Sequence, residues 1–78
     1  MKVSMDQLKP GETALIDSLD NEESSLKLLE MGCLPGETVK LTMIAPLGDP
    51  LTFEIGNSYK LSLRKSEARH VWVEKMQP

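Results

Sequence analysis

The stretch that decides the fold is Leu51-Thr52-Phe53-Glu54-Ile55-Gly56-Asn57-Ser58-Tyr59-Lys60-Leu61-Ser62-Leu63, in the second half of a 78-residue chain. Apolar and polar residues alternate on both sides of the Gly56-Asn57 pair. A period of two is typical of a strand with one buried face, and a Gly-Asn pair is typical of a tight turn between two strands. The stretch therefore predicts a β-hairpin with Phe53 and Leu61 facing the core.

Two further strands are predicted upstream of this hairpin, each after a Pro-Gly turn. Pro10-Gly11 precedes an apolar-rich segment, 13–19, and Pro35-Gly36 precedes the alternating segment 39–43. Proline fixes φ at the first corner of a turn and glycine accepts positive φ at the second. The sequence Pro-Gly-Glu-Thr occurs in both places, but four residues are too few to indicate a repeat.

Downstream of the hairpin, the sequence predicts one short helical turn and a last strand. The helical turn spans about 66–69, and in the strand Val71 and Val73 face the core with Trp72 on the opposite face. Five to six short strands without a strand–helix–strand rhythm favour a mostly β fold, a small closed barrel. We expect a single domain over residues 1–78, with its core at about 8–74.

One α-helix is predicted between the two Pro-Gly turns, at about 22–31. Asp20 and Glu23 have capping-box spacing, and Gly32 ends the helix in the left-handed conformation. The expected core stripe of this helix consists of Leu26, Leu29 and either Leu28 or Cys33. The five methionines are scattered, and we expect them in the core or near the chain ends.

The charge distribution and the lack of targeting signals argue against nucleic-acid binding, secretion and membrane insertion. Residues 1–39 carry 3 Lys and Arg against 8 Asp and Glu, whereas residues 40–78 carry 6 against 4. With three aromatic residues in the chain, this charge does not indicate a nucleic-acid surface. The sequence shows neither a signal peptide nor an apolar run that could cross a membrane. We therefore expect a cytoplasmic protein that does not insert directly into the membrane.

Few residues could support catalysis or bind a metal. The chain has one cysteine, Cys33, and one histidine, His70, so it cannot form an internal disulfide, and we expect no enzyme activity. Glu67 and His70 form a Glu-x-x-His pair, which is what one ligand-bearing helix contributes to a di-iron carboxylate site; such a site needs a second pair and two further carboxylates. A metal site at Glu67, His70 and Cys33 is the alternative to a solvated surface histidine and an inert cysteine. No cofactor is expected, since no glycine-rich phosphate loop is present.

A proline-bounded loop and a basic turn are the candidate binding elements. The loop is Pro46-Leu47-Gly48-Asp49-Pro50, in which two prolines lower the entropy lost on docking and Leu47 offers an apolar side chain. It is either a docking element or a strand connector whose Leu47 folds back on the core. The cations Arg64, Lys65 and Arg69, with Lys60, form either a patch suited to an acidic protein surface or an ordinary solvated cluster.

Four segments together resemble the FeoA family. They are Leu28-Leu29-Glu30-Met31-Gly32, Leu34-Pro35-Gly36, Ala45-Pro46-Leu47-Gly48-Asp49-Pro50 and Leu63-Arg64-Lys65-Ser66-Glu67-Ala68. Their order and spacing are similar to the family pattern from Leu8 to Glu74. The resemblance implies an SH3-like β-barrel with an inserted helix, related to the C-terminal barrel of DtxR-type repressors.

The resemblance also implies a function. FeoA proteins are accessory proteins of ferrous-iron uptake, so the expected partner is the cytosolic region of FeoB, the GTP-dependent membrane iron permease. The chain would be recruited by that partner to the inner face of the membrane and would modulate its activity. The alternative is a ferrous-iron sensor or carrier resembling the repressor barrel. Oligomeric state is not indicated by the sequence.

Overall fold

The computed structural model describes residues 1–20, 22–56 and 59–76, with the backbone alone for residues 22–24. Its elements are six strands, two α-helices and a 3₁₀ turn at Met5–Gln7. The strands are β1 (Lys2–Ser4), β2 (Thr13–Leu19), β3 (Thr38–Ile44), β4 (Leu51–Ile55), β5 (Tyr59–Leu63) and β6 (Val71–Lys75). The helices are α1 (Glu22–Glu30) and α2 (Lys65–Ala68).

All six strands belong to one antiparallel sheet in the order β1-β6-β2-β3-β4-β5. The 3₁₀ turn, which follows β1, contacts α2, which follows β5, so the two ends of the sheet curl toward each other. This confirms the mostly β barrel with one inserted helix and one short helical turn. Strand β1 was not predicted, because a segment of three residues is too short to show an alternating pattern.

The predicted hairpin forms the central part of the core. Leu51, Phe53 and Ile55 are buried on β4, and Phe53 lies opposite Leu61 of β5. Burying a large apolar side chain such as Phe53 contributes roughly 1.5–3 kcal/mol. The turn predicted at Gly56-Asn57 lies partly outside the described residues. The same buried cluster includes residues of every strand from β2 to β6 as well as Met5 of the 3₁₀ turn, so the core extends to the N-terminal side of residue 8.

Helix α1 ends at Glu30 and is closed by a Schellman motif in which Gly32 takes the left-handed position. The Cys33 N–H donates to the Leu28 carbonyl at 3.0 Å, and the Gly32 N–H donates to the Leu29 carbonyl at 3.1 Å. Gly32 has φ 106°, which confirms its predicted left-handed conformation. The motif brings Leu28 and Cys33 together in the core, where both are buried.

The predicted apolar stripe of α1 is wrong at Leu26. Leu26 is 65% exposed, whereas Leu28 is 1% exposed. Two positions along a helix correspond to about 200° of rotation, so both side chains cannot face the same core. The Schellman motif places Leu28 in the core beside Cys33, and Leu26 consequently points to solvent. The capping partner predicted for Asp20, the side chain of Glu23, lies outside the described residues.

A β-bulge in β3 changes which side chains face outward. The pairing with β4 shifts between Leu41 and Met43, so Thr42 is the extra residue. Leu41 is buried, but Met43, next but one, is 58% exposed instead of facing the core. The prediction that all methionines lie in the core or near the chain ends is therefore wrong for Met43.

Candidate functional site: a proline-bounded loop beside a basic turn

The connection between β3 and β4 is the proline-bounded loop, residues 46–50. The Gly48 N–H donates to the Ala45 carbonyl at 2.7 Å, and the Ala45 N–H donates to the Pro50 carbonyl at 3.1 Å. These bonds and the two prolines hold the loop in one backbone conformation. Leu47 at its tip is 97% exposed, so this side chain does not fold back on the core.

Gly48 is favoured by the backbone conformation of this loop, and it lies close to a lysine of the basic turn. Its φ is 90°, in the left-handed region that side chains rarely adopt. A Cβ at this position would lie 3.5 Å from the Lys65 Nζ. The loop therefore lies directly against the residue that begins α2.

The structure joins the loop to the basic turn through Asp49. The Lys65 N–H donates to the Asp49 Oδ1 at 2.8 Å, across 16 residues of sequence. This bond satisfies one of the unpaired N–H groups at the start of α2. The two candidate elements, separate in sequence, consequently form one continuous surface.

The basic turn, defined as Arg64, Lys65 and Arg69, is held by Glu67. The Arg64 N–H donates to the Glu67 Oε1 at 3.0 Å, and the Glu67 N–H donates to the Arg64 carbonyl at 2.9 Å. The Arg69 N–H donates to the Lys65 carbonyl at 3.0 Å and closes the turn. All three cationic side chains are exposed. Their backbone is fixed, and their charged groups face solvent.

Glu67 also connects the basic turn to α1. Its Oε2 lies 3.1 Å from the Lys27 Nζ. The bond from the Arg64 N–H, followed by the contact with Lys27, lowers the pKa of the Glu67 carboxyl. Glu67 therefore stays ionised through the neutral range and is engaged by two donors.

The residues of the alternative metal set are engaged in other contacts. Glu67 accepts from Arg64 and Lys27, while the His70 Nδ1 lies 2.9 Å from the Asp20 Oδ1. Burial, with a smaller contribution from the nearby Glu67 charge, raises the pKa of the Cys33 thiol to about 11. No group of three or more His, Cys, Asp or Glu residues in the described part of the chain is arranged to hold a metal ion.

A cluster around Asp20 was not predicted from the sequence. The Trp72 Nε1 donates to the Asp20 Oδ2 at 2.8 Å, and the Asp20 N–H donates to the His70 carbonyl at 3.0 Å. The bonds from Trp72 and then His70 lower the pKa of the Asp20 carboxyl. The partners lie 50 and 52 residues away, and no sequence pattern links residues at that distance.

Within the residues the structure describes, no helix combines the length and apolar character needed to cross a membrane.

The antiparallel sheet of six short strands places the chain in the class of small SH3-like β-barrel domains. The chain belongs to the FeoA domain family, a family of ferrous iron transport, whose pattern matches residues 3–75. This confirms the family resemblance seen in the sequence.

A curated relative joins the family to the permease in one polypeptide. The chain is 34% identical over 71 residues to the Fe(2+) transport protein A/Fe(2+) transporter FeoB fusion protein of Porphyromonas gingivalis. The match covers 90% of this chain and 8% of that protein. The chain thus spans less than a tenth of the length of the curated relative it matches.

Solved structures share the fold along nearly the whole chain. The FeoA-like protein of Clostridium acetobutylicum is 27% identical, with a TM-score of 0.90 over 99% of this chain and 90% of that one. Stenotrophomonas maltophilia FeoA, determined in complex with zinc and described as a prokaryotic SH3 domain protein, is 28% identical, with a TM-score of 0.77 over 95% and 89%.

The repressor likeness also holds at the level of fold. A manganese-dependent transcriptional repressor has a TM-score of 0.87 over 96% of this chain and 37% of that one, at 10% identity. An identity this low shows a shared fold alone. The predicted relation to repressor barrels is therefore confirmed for architecture.

Proposed function

We propose that this chain is a non-enzymatic accessory domain of ferrous-iron uptake that binds the cytosolic region of a FeoB permease and modulates its GTP-dependent cycle. The observation that carries the proposal is the Porphyromonas gingivalis protein, in which a FeoA segment and FeoB share one polypeptide. Covalent linkage raises the effective concentration of one domain near the other. A relative built in this way indicates that the two domains work together.

The proposed docking surface is the proline-bounded loop together with the basic turn. Its support is physical: Leu47 is exposed, and the Asp49 contact with Lys65 holds the loop beside the three cations. A surface that is ordered before binding loses less conformational entropy on docking. In this proposal the domain works in the cytoplasm and is brought to the inner face of the membrane by its partner.

The test is a binding and GTP-hydrolysis assay with the purified cytosolic region of a FeoB permease. We expect a saturable complex and a change in the hydrolysis rate when the chain is added. The Leu47→Asp variant, in which a charge replaces the exposed apolar side chain of the proposed docking surface, is expected to bind more weakly. Absence of both binding and any rate change with the wild-type chain would contradict the proposal.

The alternative, a ferrous-iron sensor or carrier, is tested by a separate measurement. The zinc complex of Stenotrophomonas maltophilia FeoA motivates it. Anaerobic titration with ferrous iron would give stoichiometric binding for a carrier, weakened by His70→Ala. The accessory-domain proposal requires no such binding, so the titration distinguishes the two functions.

A further inference from the structure

The three cationic side chains of the basic turn form no ion pair with a described carboxylate. The chain carries 9 Lys and Arg against 12 Asp and Glu, a net charge of -3. Several lysines elsewhere pair with carboxylates at 3.1–3.4 Å, namely Lys2, Lys27 and Lys75. The three cations of the basic turn have no such partner among the carboxylates whose side chains are described.

Two carboxylates that contact the backbone of the basic turn already accept other hydrogen bonds. Asp49 accepts from the Lys65 backbone N–H, and Glu67 accepts from the Arg64 backbone N–H and from Lys27. These bonds fix the backbone at 64 and 65 while leaving both cationic side chains directed to solvent. The charges are therefore positioned before any partner arrives, which reduces the entropy lost on pairing.

The apolar part of the surface is a projection and not a groove. Leu47 extends from a loop that is held by internal hydrogen bonds and by Asp49. A projecting leucine is buried only if the partner supplies a cavity for it. Close to this leucine, the partner must also meet the Lys65 ammonium, which lies beside Gly48.

We propose that the docking surface of the partner is an acidic protein surface with an apolar pocket, in which Leu47 fills the pocket and carboxylates pair with Arg64 and Lys65. The inference rests on the proposed function and adds the chemistry of the contact. Binding energy in protein interfaces is concentrated in a few residues that fill well-packed pockets, and complementary charges near them speed association and fix the orientation of the partners.

An anionic lipid surface offers the same charge but fits the molecule less well. A bilayer is extended, so it would face much more of the molecule than the basic turn, and the molecule as a whole carries a net charge of -3. A protein partner meets only the patch that it covers. The observations therefore favour a protein.

The experiment measures the dissociation constant for the cytosolic region of a FeoB permease at low and high NaCl. The test variant is Arg64→Gln with Lys65→Gln, and the matched control is Lys9→Gln with Lys40→Gln, which changes the net charge equally. We expect about tenfold weaker wild-type binding at high salt, because ions screen the charge pairs. The test variant weakens binding about tenfold at low salt and loses most of the salt dependence, while the control stays within about twofold.

A third variant, Leu47→Ser, separates the anchor from the charges. It is expected to weaken binding by a similar factor at both salt concentrations, because apolar burial is not screened. Thermal melts verify that all variants are folded.

Several outcomes would overturn the inference. Salt-independent wild-type binding, or equal losses in the two double variants, would overturn it while leaving the proposed function intact. Binding to phosphatidylglycerol vesicles with the same dependence on Arg64 and Lys65, without binding to the permease region, would replace the protein partner by a lipid surface. Absence of any permease binding by the wild type would remove the proposed function itself.

Discussion

Leu47 and Leu28 are residues of the same type in opposite environments, with 97% and 1% of their surfaces exposed. We predict that Leu47→Asp changes the free energy of unfolding by less than about 0.5 kcal/mol, as is usual for surface substitutions, while weakening permease binding. In contrast, Leu28→Ala leaves a cavity in the core and is expected to cost about 2–5 kcal/mol. Urea denaturation of both variants measures the difference. A large loss of stability in Leu47→Asp would show that the side chain packs against the fold in solution.

Asp20 gives the molecule a pH-dependent component of stability. Its carboxyl accepts bonds from Trp72 and His70, which hold its pKa below the ordinary value of 3.8. A pKa lowered by folding means that the stabilisation is present above the unfolded value and is lost as the pH falls through the folded value. We predict that Asp20→Asn lowers the melting temperature at pH 6 and that its difference from wild type shrinks as the pH falls to about 3.

The control for that prediction is Asp17→Asn. Asp17 also has a lowered pKa, from Lys2 and Ser18, but the Trp72 indole N–H donates to Asp20 and not to Asp17. Trp72 fluorescence is therefore expected to change with acidification in wild type and in Asp17→Asn, but to change less in Asp20→Asn. A fluorescence change in Asp20→Asn as large as that in wild type would contradict this role.

Single residues show the limits of reading the sequence alone. The exposure of Leu47 could not be decided from the sequence, because a proline-bounded loop can present its apolar residue or bury it. The bond from the Lys65 N–H to the Asp49 carboxylate could not be predicted from the sequence either, since it depends on how the end of β5 lies against the loop after the sheet has formed.

At the scale of elements, the end of α1 depends on Gly32. Its φ of 106° and a clearance of 3.0 Å between an added Cβ and the Tyr59 ring make two separate demands for glycine. Gly36 has a similar φ of 96°, but nothing lies within 4 Å of an added Cβ. We predict that Gly36→Ala costs about 1–2 kcal/mol from backbone strain alone.

Gly32→Ala is expected to cost more than Gly36→Ala, because the Tyr59 ring must also move. Denaturant unfolding of the two variants, with Tyr59→Ala added to each, measures the contribution of the ring. The extra cost at residue 32 is expected to disappear in the Tyr59→Ala background. Equal costs for the two glycine variants in the wild-type background would contradict the close approach.

Strands, turns and helix boundaries were largely readable because local chemistry determines them. The apolar residues that alternate along β4 and β5 are buried in the structure, and the segment predicted as 13–19 is strand β2. The α1 stripe and the exposure of Met43 were not readable. Both depend on contacts between distant parts of the chain. The α1 stripe is set by the packing of the helix-end motif on the core, and the exposure of Met43 is set by the bulge in the pairing of β3 with β4.

At the scale of the whole molecule, Cys33 reports on global opening. The thiol is fully buried, and burial raises its pKa to about 11, so little reactive thiolate is exposed in the folded state. We predict that alkylation with iodoacetamide at pH 8 is slow in buffer and fast in denaturant, at a native rate that follows the population of the opened form. The core variant Leu28→Ala is expected to accelerate labelling, whereas Leu47→Asp is not. Rapid alkylation of the folded wild-type chain would show local opening at the end of α1.

The pairing of β1 with β6 has a mechanical consequence. The strands are antiparallel with Lys2 opposite Glu74, so the first and last described segments lie side by side at the same end of the ladder. A force that pulls these segments apart loads the rungs of the ladder one after another, like a zipper, instead of all together in shear. We therefore expect the barrel to yield at low force when stretched from its two ends, and to open from β1 before the hairpin of β4 and β5 is strained.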